Sequence, residues 1–214
     1  MRHAIATAGL TIGLCALVLQ FGMTVAAGPT LGAAAAQFFG SFNNLASILT
    51  VLIFAADIFA RSRWLRGFRQ PWVYATMAAA GTLTIGIYLL VLAPQWQAHG
   101  GQLVADITLH LVLPPLLIVW SVGFNRSGTL TYAELPLMLA PSVLFVIYTM
   151  GRGLMFGQYP YAFADIPMLG PAQVTINMTA LLVVQTVLNA FAVTIDKSIL
   201  ASKIQHDPER SPDR

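Results

Sequence analysis

The chain has 214 residues, of which 57% are apolar and 9% charged, with 11 Lys and Arg against 8 Asp and Glu and a formal net charge of +3. A water-soluble domain carries about 25% charged residues, so this composition excludes an ordinary soluble globule. The stretches from His3 to Ala56, Gln70 to Ala105 and Ile166 to Ile195 hold no Asp, Glu, Lys or Arg, and such lengths are those of membrane spans.

Breaks at Gly, Pro and charge clusters leave six apolar segments, at about 4–26, 42–60, 73–94, 104–124, 135–155 and 174–195. Each reaches the ~20 residues that a helix needs to cross a hydrocarbon layer of ~30 Å. The expected fold is therefore all-α, an integral membrane bundle of six transmembrane helices over residues 1–204, followed by a disordered tail over 205–214. The first segment has features of a cleaved signal, with Arg2 before it and Thr24-Val25-Ala26 near its end. Its apolar run exceeds the ~7–15 residues of a signal core, so it reads as a retained span. Short links make sequential helices antiparallel neighbours. Gly22, Gly32 and Gly81 are expected as close-packing points between helices. Cys15, the one cysteine, is a small packing residue with no disulfide partner.

Cytoplasmic loops retain Lys and Arg during insertion. With the N-terminus inside, the inner side holds Arg2, Arg61, Arg63, Arg66, Arg69, Arg126, Lys197, Lys203, Arg210 and Arg214, against Arg152 outside. Both termini are thus expected in the cytoplasm and the chain in the inner (plasma) membrane, crossing it several times. The basic residues serve topology, and no nucleic-acid partner is expected; the expected partners are membrane lipids and a lipid-like substrate or ligand. Oligomeric state is not encoded in any feature of the chain.

Ionisable side chains inside hydrocarbon cost about 2.5–3.5 kcal/mol on insertion scales, so each one points to a role. Asp106 and His110 are four apart, on one face of the fourth span, with His110 about 6–9 Å below the outer boundary. A carboxylate holding one ring nitrogen would leave the other as a base. Alternatively, His110 is satisfied by a backbone carbonyl. Pro114 should kink the helix beside it and free a polar group there.

Ser41 stands at the same depth, as a helix N-cap or as a hydroxyl that His110 activates. Asn43 and Asn44 follow as amide donors. The link 156–173 contains Tyr159, Tyr161, Phe163 and Asp165, and reads either as interfacial anchoring or as an ordered cap over a site. Arg152 and Asp165 are candidates for an ion pair that closes the cap or for contacts to substrate, with Asn177 near them. Asp57 and Arg61, one turn apart, read as a salt bridge at the inner boundary. His3, His99 and His206 are dispersed, and neither a metal-ligand spacing nor a phosphate-cradling loop is present.

The Phe-Phe-rich start of the second span, Leu109-His-Leu-Val-Leu-Pro114, Tyr148-Thr-Met-Gly-Arg-Gly153, Tyr159-Pro-Tyr-Ala-Phe-Ala-Asp165 and Asn177 before a last apolar helix ending at Asp196 together resemble the androgen-induced and androgen-dependent TFPI-regulating protein family. The resemblance covers roughly 35–196. It implies a multispanning hydrolase of fatty-acid esters of hydroxy fatty acids, with a threonine nucleophile, a histidine partner and no cofactor. The histidine matches His110. Matching Ser41-Phe-Asn-Asn-Leu45 places Ser41 at the nucleophile, whereas matching Phe38 to Leu49 against the bacterial pattern places Asn43 there. An esterase would use Ser41 to attack the acyl carbonyl, His110 as base, Asp106 to orient the ring, and Asn43 or Asn44 at the oxyanion. The alternative expectation is a non-enzymatic binder or carrier in which Asn43, His110, Arg152 and Asp165 recognise a ligand.

Overall fold

The computed structural model describes residues 1–28, 30–94, 98–125 and 127–206, and all regular structure among them is helical. Nine helices occur among these residues: α1 (Arg2–Ala27), α2 (Leu31–Phe39), α3 (Phe42–Ile58), α4 (Pro71–Ile87), α5 (Gly100–Ile107), α6 (Leu113–Phe124), α7 (Leu135–Phe156), α8 (Ile166–Leu169) and α9 (Pro171–His206). A π-helical turn, Tyr88–Leu92, prolongs α4, and another, Thr108–Val112, joins α5 to α6. Five helical stretches are long and apolar enough to cross a membrane, and the bent pair α2 and α3 makes six if it counts as one span.

Local chemistry sets the helix starts. Proline opens α4, α8 and α9 within their first two positions, where a missing N–H costs no intrahelical bond. Thr30 caps α2 by accepting from Ala33 N at 3.1 Å, and Thr131 with Glu134 forms a capping box before α7. The link between the first two expected spans is helical over Leu31–Phe39: the Thr30 cap starts the alanine-rich α2, and Gly40-Ser41 turns the chain by 77° into α3. The helix α9 runs through Gln205 and His206, into the segment expected as a tail. The rest of that tail, with Arg210 and Arg214, and Arg126 in the inner loop lie outside the described residues.

α1 packs along α3, α4 lies between α6 and α9, and α7 packs on α9. The largest apolar cluster joins α1, α3, α4 and α6 around Phe54, Leu113, Leu117 and Trp120. Gly81 lets α4 approach α6, since a Cβ there would lie 2.9 Å from Pro114 Cβ. Gly22 and Gly32 face no neighbour, and the close contacts of α1 run instead through Gly9 on Phe54 and Gly13 on Val51.

The end of the bundle at which α1 starts is tied by polar contacts. Asp57, with its side chain 1% exposed, is paired with Arg2, and His3 Nδ1 lies 3.1 Å from its second oxygen. The expected Asp57–Arg61 bridge is thus replaced by one between α3 and α1, because the antiparallel packing of these helices delivers Arg2 to the carboxylate. Asp196 accepts from Ser127 N (2.9 Å) and Leu130 N (3.0 Å), clamping the α6–α7 link to α9.

Candidate ligand-binding cavity

At the opposite end, α3, α4, α7, α9 and the π-helical turn after α5 surround a cavity of about 720 Å³, its open mouth included. Pro114 explains the shape of the turn beside His110. It lacks an N–H, and the helix answers by closing a wider turn in which Leu113 N donates to Thr108 O. A π-helical turn absorbs the proline where a sharp kink was expected. The matching π-helical turn of α4 presents Tyr88, whose ring stacks on His110 with centroids 4.4 Å apart and planes 23° from parallel.

His110 Nδ1 lies 2.9 Å from the main-chain oxygen of Asp106. A carbonyl only accepts, so Nδ1 carries the proton, and the neutral ring offers Nε2 as an acceptor. The Asp106 carboxylate accepts from Gln102 Nε2 at 2.9 Å, and that amide also donates to Gln20 Oε1 at 3.0 Å. The expected carboxylate–imidazole pairing is therefore corrected. The i to i+4 spacing brings the ring to the backbone of Asp106, while its carboxylate is turned to Gln102.

The cap is built from the link after α7. Tyr159 fits into the notch left by Gly153, where a Cβ would collide with its ring. The Tyr161 hydroxyl accepts from Phe42 N, at the start of α3, at 2.9 Å. Asn177 Nδ2 donates to Phe163 O at 2.8 Å, and Asp165 caps α8 by accepting from Met168 N at 3.0 Å. Tyr161, Phe163 and Ala164 form the roof of the cavity. Burial pushes the Tyr161 phenol above its ordinary range, and the adjacent Ser41 hydroxyl and the N–H groups of Phe42 and Asn43 pull the other way. The phenol is thus neutral at neutral pH and serves as a hydrogen-bonding latch.

The sequence candidates separate in space. His110, Asn43 and Tyr161 line the cavity. Ser41 does not line it; its hydroxyl sits beside Tyr161 at the N-terminus of α3. Asn44 is spent on structure, donating to Phe38 O at 3.0 Å across the α2–α3 bend. The expected Arg152–Asp165 pair is absent. Arg152 instead donates to Ala36 O (2.6 Å) at the C-terminal end of α2 and to Gln158 Oε1 (3.0 Å), and Asp165 is committed to its cap. Tyr159, Asp165 and Asn177 hold the cap in place.

The polar wall residues Thr84, Tyr88, Ser142, Thr149 and Gln185 were not singled out from the sequence. A signal for one was present. Gln185 and Asn189 are four apart in an otherwise apolar span, on one helical face. They are fully buried, with Gln185 Nε2 donating to Asn189 Oδ1 at 3.0 Å. Attention to ionisable residues alone passes over such neutral amides.

The residues lining the cavity are all uncharged apart from the titratable ring of His110, and no cluster of metal-ligating side chains occurs among the described residues. The arrangement suits an apolar body with a few hydrogen-bonding positions. Comparison of the chain with protein-family models, with curated proteins and with solved structures gives no match.

Proposed function

We propose that the chain is a multi-pass protein of the inner (plasma) membrane, with both termini in the cytoplasm, that binds one uncharged, lipid-like amphiphile beneath its cap. One observation carries this reading: the polar α3 side chain on the cavity wall that also holds His110 is Asn43, an amide, while Ser41 is turned to the roof tyrosine. An amide recognises but does not attack. The topology rests on charge: Arg61, Arg63, Arg66 and Arg69 follow α3 at the end where α1 starts, and Arg152 stands at the cap end. The test is thermal unfolding of detergent-solubilised protein with uncharged and anionic lipids. Uncharged lipids should stabilise wild type by mass action, by about 2.7 kcal/mol at a hundredfold excess over Kd. Asn43→Ala and His110→Ala should lose that stabilisation. Equal stabilisation of wild type and both variants would reject the site.

A second reading, a lipid-ester hydrolase akin to the androgen-induced family, is favoured by the Nε2 acceptor of His110, which is a competent general base in an apolar, capped space. It predicts labelling by a fluorophosphonate probe, abolished in Ser41→Ala and in His110→Ala. Under the binding reading, wild type takes up no probe.

A further inference from the structure

Two polar side chains of the cavity wall each keep one hydrogen-bond acceptor unused. At the cap end, His110 Nδ1 is used on the Asp106 carbonyl, and Nε2 has no hydrogen bond among the described residues. At the floor, Gln185 is fully buried and its Nε2 is used on Asn189, so that Oε1 is an acceptor without a donor among the described residues. Thr149, on α7 in the wall of the same cavity and 2% exposed, likewise has an unpartnered hydroxyl. Leaving buried polar groups unmatched is costly, and in a bilayer no bulk water is at hand to match them.

Resting on the binding reading above, we propose that Gln185 is the polar anchor of the cavity, and that its ligand is a hydroxyl-bearing, uncharged lipid. Such a ligand donates its O–H to Gln185 Oε1, while its chain lies along the apolar walls. From Met178 to Gln185 the wall on α9 is seven residues long, about 10 Å of slot at 1.5 Å per residue. A lipid ether or ester of the same length has acceptors only and leaves Gln185 Oε1 unmatched. The preference is therefore for the donor, not for polarity in general. A lipid with a hydroxyl at each end of such a slot would also satisfy His110 Nε2.

The experiment compares a long-chain primary alcohol with its methyl ether of equal length, titrated against the purified full chain in detergent and followed by thermal unfolding and calorimetry. The alcohol should bind wild type about tenfold more tightly than the ether, the effect of one hydrogen bond. That preference should fall to near parity in Gln185→Leu, while Asn43→Ala should weaken both ligands alike. Equal affinity of wild type for alcohol and ether overturns the hydroxyl assignment and leaves the binding reading standing. Binding of neither, by protein that unfolds cooperatively, overturns both.

Discussion

His110 is held from behind by a main-chain carbonyl and from the side by the stacked ring of Tyr88. A side chain positioned by backbone does not depend on a neighbouring carboxylate. Asp106→Asn should therefore change lipid affinity by much less than the about tenfold of one lost hydrogen bond, whereas a ring oriented by that carboxylate would respond strongly; calorimetric titration decides. Gly153 is fixed by a different constraint, because the ring of Tyr159 occupies the space of its missing side chain. Gly153→Val should cost about 1–3 kcal/mol through overpacking and lower the unfolding temperature. Gly151, two positions earlier and with nothing within 4 Å of its would-be Cβ, is the control, and Gly151→Ala should not lower the unfolding temperature.

Among the elements, the bent pair α2 and α3 and the cap depend on each other through Arg152, which reaches from α7 to the last turn of α2 and to Gln158. A cation is favoured at a helix C-terminus, and Gly40 leaves the room for it, since a Cβ there would collide with the guanidinium. Arg152→Ala should speed amide hydrogen exchange in Leu31–Phe39 and in the cap while leaving α4 and α6 protected. Uniform exchange rates in both regions would refute the clamp. The long apolar helices were legible in the sequence because hydrocarbon thickness dictates their length, and α4, the run from α5 through α6, and α7 fall close to the expected segments. The helix α2 was not, because its nine residues are too short to span and its alanines carry no periodic signal. Ser41 and Asn43 show the same limit at the site. Two residues apart at a helix start, they have different surroundings, and the 77° bend from α2 precedes both, so that Asn43 lines the cavity with His110 and Ser41 does not.

For the whole molecule, packing places Arg2, Asp57, Trp120 and Asp196 at one end and the capped cavity at the other. Single cysteines introduced into a Cys15→Ala background report which end faces the cytoplasm. An impermeant maleimide should label Ala162→Cys on intact cells and Gly67→Cys only after permeabilisation, and the reverse pattern would invert the topology. The membrane reading and the cavity stand on different evidence, the first on composition and the second on side-chain geometry. Gly81 against Pro114 and Asn177 against Phe163 hold the cavity walls and roof at their present spacing.

Native mass spectrometry of the chain released from detergent tests most directly whether that enclosed space exists to hold a lipid. Wild type should retain one uncharged lipid, and Ser142→Phe, which fills the cavity from a buried wall position, should emerge bare while still unfolding cooperatively. A wild-type chain that carries no lipid, or a filled variant that carries the same one, would contradict the account.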